Sequence, residues 1–105
     1  MPDLLNAPIS VSGSGAKTVI DGEAGKIIQV VGMYFQTNIA TTLTIKTGNT
    51  ARTGSMSFTG SGGLNLPFTG TINYFECADG DDFVFYFSGL TGQAAGQIFY
   101  YQYSP

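Results

Sequence analysis

The chain has no histidine and no tryptophan, a single cysteine, and charged side chains at only 10% of its 105 positions. Each shortage removes a class of function. Without histidine, the commonest general base and the commonest transition-metal ligand are both missing. The lone Cys77 excludes an intrachain disulfide and any cysteine-rich zinc site. Four Lys and Arg against seven Asp and Glu leave a net charge of −3. That is too little positive charge to neutralise a phosphate backbone, so nucleic acid is not an expected partner. The start, with Pro2 and Asp3, has no basic region ahead of an apolar run and does not read as a secretory signal. The uncharged, aromatic stretch from Phe83 to Pro105 is broken by Gly89, Gly92 and Gly96 and carries Gln93, Gln97 and Gln102. It falls short of the roughly 20 continuous apolar residues of a membrane helix, so no membrane partner is expected either.

What fills the space is glycine (15), phenylalanine (8) and tyrosine (6), with many threonines and serines. Threonine and the aromatics favour pleated, half-buried surfaces, and glycine punctuates turns. A surface that is polar but nearly uncharged suits a protein that works inside an assembly. The length allows one compact domain.

Along the chain, residues 1–16 read as an extended arm, because Pro2 and Pro8 forbid a helix and Ser12-Gly13-Ser14-Gly15 is flexible. Leu4, Leu5, Ile9 and Val11 would be odd on a free tail. The arm either frays or docks on a neighbour. Residues 17–105 then form the folded domain. Lys17 to Ile20 is a short strand closed by Asp21-Gly22, and Lys26 to Thr37 is the longest strand candidate. Gly32 in its middle signals a bulge or a close backbone approach. Ala40 to Thr47 alternates cleanly, with Leu43 and Ile45 inward. Met56 to Thr59, Leu64 to Phe68 (an edge strand at most, given Pro67), Ile72 to Cys77, Asp82 to Ser88 and Gly96 to Tyr103 follow. No stretch keeps a 3.6-residue period for more than a turn or two. The expected fold is all-β: an antiparallel β-sandwich, jelly-roll-like, of about eight strands.

Several strands are apolar on both faces. In Lys26 to Thr37, strict alternation places Ile27, Val31, Met33 and Phe35 on one side and Ile28, Val30 and Tyr34 on the other. The last strand opposes Ile98 and Tyr100 to Phe99, Tyr101 and Tyr103. A small sandwich has one interior, so a second apolar face is covered either by loops and the arm or by another subunit. The expected oligomer contact is Ile28, Val30, Tyr34, Phe99, Tyr101 and Tyr103.

Candidate chemistry is sparse. Asp79, Asp81 and Asp82 cluster in one turn, as calcium ligands do, but without EF-hand spacing. Glu76 and Asp82 flank that turn without other catalytic company. Cys77 has no histidine to activate it and reads as a small buried hydrophobe. Gly60 to Gly63 lacks the lysine and helix of a phosphate loop. Tyr100, Tyr101 and Tyr103 could stack on sugars, although strand packing or oligomer contact explains them too. No catalytic residue, cofactor site or metal site is assigned.

The run from Ser12 to Tyr103 resembles a group of small virion proteins of tailed bacteriophages. The resemblance lies in the order of features: Gly15-Ala16-Lys17-Thr18-Val19-Ile20, then Gly25-Lys26-Ile27-Ile28-Gln29-Val30-Val31-Gly32-Met33-Tyr34, then Thr42-Leu43-Thr44-Ile45-Lys46-Thr47-Gly48. Thr53-Gly54-Ser55-Met56-Ser57-Phe58, Leu66-Pro67-Phe68 and Ala95-Gly96-Gln97-Ile98-Phe99-Tyr100 complete it. The aromatic C-terminal half departs from that pattern. The resemblance implies a non-enzymatic capsid decoration (cement) protein, made in the host cytoplasm and carried on the virion. Its partners would be the major capsid protein and itself, as a homotrimer, with Leu4, Leu5, Ile9 and Val11 of the arm touching the capsid. The alternative is a receptor- or carbohydrate-binding module of a head or tail fibre, using loops such as Asn65 or Thr91 to Gln93.

Overall fold

The computed structural model describes residues 3–58, 62–69, 73–88 and 93–104. Ten strands are described: β1 (Leu5–Ser12), β2 (Gly15–Ile20), β3 (Ile27–Thr37), β4 (Thr41–Thr47), β5 (Thr50–Ala51), β6 (Met56–Phe58), β7 (Gly63–Leu66), β8 (Phe75–Cys77), β9 (Phe83–Ser88) and β10 (Gln93–Tyr103). No helix occurs among the described residues, and so none is long and apolar enough to cross a membrane.

The strands form two antiparallel sheets. Sheet A runs β1-β10-β3, with β7 and β8 lying end to end along the far side of β3. Sheet B runs β2-β9-β4, with β5 and β6 sharing the far side of β4 in the same way. Ten strands therefore occupy eight lanes. Successive strands β1 to β4 alternate between the sheets, and the last strand returns beside the first, which is the Greek-key winding of a jelly roll. The expected sandwich is what the chain forms.

The core is the space between the sheets. Phe83, Phe85 and Phe87 alternate inward along β9 and face Met33 and Phe35 of β3 and Ile98 of β10. Their rings form a connected series. Phe35 meets Phe58 edge-on at 5.9 Å and Phe85 at 5.2 Å, and Phe83 joins Phe85 to Phe75 at 5.8 and 5.5 Å. Tilted and edge-on pairs of this kind add roughly 0.5–1.5 kcal/mol each beyond the area they bury. β4 supplies Leu43 and Ile45, both fully buried, at the alternation expected for it.

Residues 5–12 and 15–16 are extended, as expected, but they are not a separate arm. β1 is paired with β10 along its whole length, from Leu5 opposite Tyr100 to Ser12 opposite Gln93. Ile9 is 2% exposed and belongs to the core, with Ala7 and Val11 packed beside it. The alternation of Ala7, Ile9 and Val11 is that of a strand with one dry face. A domain boundary between residues 16 and 17 would cut β2. Only Leu4 and Leu5 of the four arm candidates stay exposed.

β3 carries the irregularity that matters most. Against β10, Phe99 pairs with Gly32 and Tyr100 with Val30, so Val31 has no partner across the ladder. One extra residue shifts every side chain beyond it to the opposite face. Ile28 and Val30, at 1% and 0% exposure, therefore share the core with Met33 and Phe35. Strict alternation had put them on opposite sides. Gly32 also meets the close approach expected of it, since a Cβ there would lie 3.0 Å from the Cβ of Phe68 and 3.1 Å from its backbone.

Candidate binding face

Turns close one end of the sandwich, and the aspartates are their fasteners. Asp82 Oδ1 accepts the Gly22 N–H at 2.6 Å, and Asp79 Oδ1 accepts the Gly25 N–H at 2.6 Å. The Gly80 N–H donates to the Lys26 carbonyl at 3.1 Å, and the Gly48 N–H to the Asp82 carbonyl at 2.8 Å. Carboxylate acceptors make strong bonds to backbone N–H groups, so these side chains tie the turn after β8 to the one after β2, and the Asp82 backbone carbonyl adds the turn after β4. Among the described residues no three His, Cys, Asp or Glu side chains converge as a metal site would require. Glu76 stands exposed on β8, away from this hydrogen-bonding task.

Cys77 is fully buried in the core, its thiol 3.7 Å from the Asp82 carbonyl oxygen. Burial, reinforced by the Asp81 carboxylate, pushes its pKa up to about 12. A thiol held protonated is neither a nucleophile nor a ready metal ligand. Gly62 and Gly63, the described part of the glycine-rich stretch, bond to Thr37 and pair with Gln36, extending the sheet edge.

The outer face of sheet A is the feature left to explain. Cross-strand register arranges its side chains in rows. Pro8, Gln97, Tyr34 and Asn65 form one row; Ser10, Ala95, Gln36 and Gly63 form the next. Asn6, Phe99 and Gly32 follow as the last row before the bulge, and beyond it come Tyr101, Gln29 and Glu76, then Tyr103 and Ile27. Of the four cations of the chain, Lys17 and Lys46 lie on sheet B and Lys26 just before β3, while Arg52 lines a depression with Glu76 at the rim of this face.

The bulge divides this face into unlike halves. On one side amides predominate. The Tyr34 hydroxyl donates to Gln97 Oε1 at 3.5 Å, Gln97 Nε2 donates to Asn6 Oδ1 at 3.0 Å, and Gln93 Nε2 donates to Ser10 Oγ at 3.1 Å. Beside Tyr34 is a shallow depression of about 760 Å3, floored by Gly63, Ala95 and Gly96 and rimmed by Tyr34, Gln36 and Asn65. On the other side Tyr101, Tyr103 and Ile27 are half-buried around Gln29, and the half-buried Phe99 borders them at the bulge itself.

Of the six residues expected at an oligomer contact, Tyr34, Phe99, Tyr101 and Tyr103 do share this outer face. Ile28 and Val30 do not: they are interior, because the bulge at Val31 turns them inward. Tyr100 points into the sandwich and packs on the core. Of the loop residues expected to meet a sugar or receptor, Asn65 faces outward opposite Tyr34, and Gln93 is held by Asn38 and Ser10. Thr91 lies outside the described residues. Sequence reading missed Gln36 and Gly96, whose place beside Tyr34 depends on strand pairing across tens of residues; only the Gly-Gln steps in an aromatic strand mark the spot. Compared with family models, with curated proteins and with solved structures, the chain matches none.

Proposed function

We propose that this is a non-enzymatic structural protein of a phage virion, a capsid decoration protein that self-associates, as a trimer, through the aromatic half of the outer face of sheet A. The observation that carries the reading is that half-face: Phe99, Tyr101, Tyr103 and Ile27 stand together around an uncharged amide, with Glu76 at the rim. Aromatic residues with few charges are what distinguishes the centre of an interface from ordinary surface. Three copies closing a ring use such a patch against a different surface of the neighbour. The trimer would sit on the major capsid protein and add buried area across capsomer boundaries. The low charge of the whole chain and the order of motifs shared with small phage virion proteins support the same reading. Leu4 and Leu5, exposed at the free end of β1, are the apolar groups left to touch a capsid.

The test is the native mass by light scattering at several concentrations. The expected value is three times 11.1 kDa, and Tyr101→Ala should shift it to that of one chain, as loss of a central interface anchor costs about 2 kcal/mol or more. A monomer at every concentration, with Tyr101→Ala indistinguishable from the parent, would remove the proposal.

A further inference from the structure

The amide half of the same face has the chemistry of a small-ligand site, and it stands apart from Tyr101 and Tyr103, with Phe99 between them. Tyr34 and the position of Tyr101 are five residues apart along β3, where Tyr101 pairs with Gln29. At roughly 3.3 Å per residue that is about 16 Å. The depression next to Tyr34, at about 760 Å3, falls within the roughly 300–1,000 Å3 of small-molecule sites.

Its lining selects the ligand. The Tyr34 side chain is 44% exposed, an apolar platform open to solvent. Its hydroxyl lies 3.5 Å from Gln97 Oε1, and Gln97 in turn donates to Asn6, so the ring is loosely oriented before anything binds. The floor is flat because it has almost no side chains. A Cβ on Gly63 would overlap the Phe35 carbonyl oxygen, and one on Gly96 would overlap the Tyr34 carbonyl oxygen. The amides of Asn65, opposite Tyr34 on β7, and of Gln36, two residues further along β3 on the same face, have no side-chain hydrogen bond to any described residue. Each offers a donor and an acceptor side by side. Among the described residues no charged side chain lines the depression.

An aromatic plate, paired donors and acceptors, and no charge are complementary to a ring that is apolar on one face, carries adjacent hydroxyls on its edge, and is itself neutral. We propose that this depression binds neutral oligosaccharides, with a sugar ring stacked on Tyr34 and its hydroxyls shared between Asn65 and Gln36. Anionic ligands are disfavoured, since no cation is present to meet them. The site is independent of the decoration reading and would serve equally a coat protein that holds a particle near a glycan-covered surface.

The experiment uses the full chain. An array of neutral gluco-, galacto- and manno-configured oligosaccharides, with sialylated and sulfated ones alongside, identifies the binder. An NMR titration with it then maps the contact. The expected result is binding confined to neutral glycans, with the backbone signals of Tyr34, Gln36, Gly63, Asn65 and Gly96 shifting. Tyr34→Ala should weaken binding about tenfold or more and Tyr34→Phe much less, as stacking needs the ring and not the hydroxyl. If Tyr34→Ala unfolds, Asn65→Ala and Gln36→Ala, both at exposed positions, carry the test with several-fold losses. An empty array, a preference for acidic glycans, or shifts centred on Tyr101 and Tyr103 would overturn the site. A trimer that binds no glycan would sink this inference alone, and a glycan-binding monomer would sink the decoration reading alone.

Discussion

The two outer faces of the sandwich are built by opposite means. The central strands of sheet B keep a strict alternation: Thr42, Thr44 and Lys46 point outward along β4, opposite Ser88, Tyr86 and Val84 of β9, and the one register shift of that sheet falls at its edge, at Val19 of β2. Its exposed aromatic, Tyr86, is covered by a cation, with Lys46 Nζ 4.7 Å from the ring centroid, and Thr44 shares a hydrogen bond with Ser55. Sheet A has no cation, an inserted residue in its longest strand, and aromatics that no charge covers. Sheet B is thus finished as a solvent-facing surface. Sheet A leaves aromatic and amide groups open, and the bulge sorts them into two patches. The exposed edges tell the same story of guarding where pairing is unwanted: Pro8 interrupts β1, and Lys17 sits in β2, both devices that discourage edge-to-edge association.

The sharpest way to break this comparison is to test whether β3 is phased as described. Ile28→Ala should cost about 2–5 kcal/mol of unfolding free energy, the penalty for a cavity in a dry core, and leave the native mass alone. Denaturant titration at two protein concentrations would separate that from loss of a contact between chains. If the cost vanished on dilution, Ile28 would face outward.

The inner side of sheet A makes a second, pH-dependent prediction through β8. Cys77 is protonated in the folded protein up to about pH 12, whereas its usual pKa is 9.0. Above pH 9 the unfolded chain releases this proton and the folded one keeps it, so stability should fall as pH rises through that window. Cys77→Ala should flatten that part of the stability curve. At pH 8 a thiol-labelling reagent should react only as fast as the chain opens.

A smaller effect is expected where the bulge meets its covering loop. Gly32→Ala places a methyl group 3.0 Å from Phe68 and should cost about 1–3 kcal/mol, read from the melting curve. An unchanged melting temperature would mean that Phe68 moves freely and the bulge has no fixed roof. Smallest of all is the exposed pair on sheet B. Lys46→Met should lose about 0.5–1 kcal/mol, less in high salt, because a cation over an exposed ring gains little.

Much of the architecture is readable from local pattern. The alternation in β4 assigns Leu43 and Ile45 to the inside, and that in β10 separates Ile98 and Tyr100, which are inside, from Phe99, Tyr101 and Tyr103, because a regular strand obeys a period of two. Gly32 marks the bulge, yet no residue announces which neighbour is the extra one. Placing Ile28 and Val30 needed the register of β3 against β10, a pairing between residues some seventy positions apart. Ile9 reads as part of a loose arm for the same reason, since the strand that completes its sheet is the last one in the chain.

Composition and periodicity alone thus determined an all-β sandwich with an uncharged, aromatic character and no histidine chemistry. Those properties depend only on residue type and on spacing along a strand. Tertiary structure decided which aromatics are core and which are surface, that the N-terminal stretch is a strand, and that Tyr34, Gln36, Asn65 and Gly96 meet around one depression. Each of these follows from hydrogen-bonded register between distant segments, and a shift of one residue reverses it.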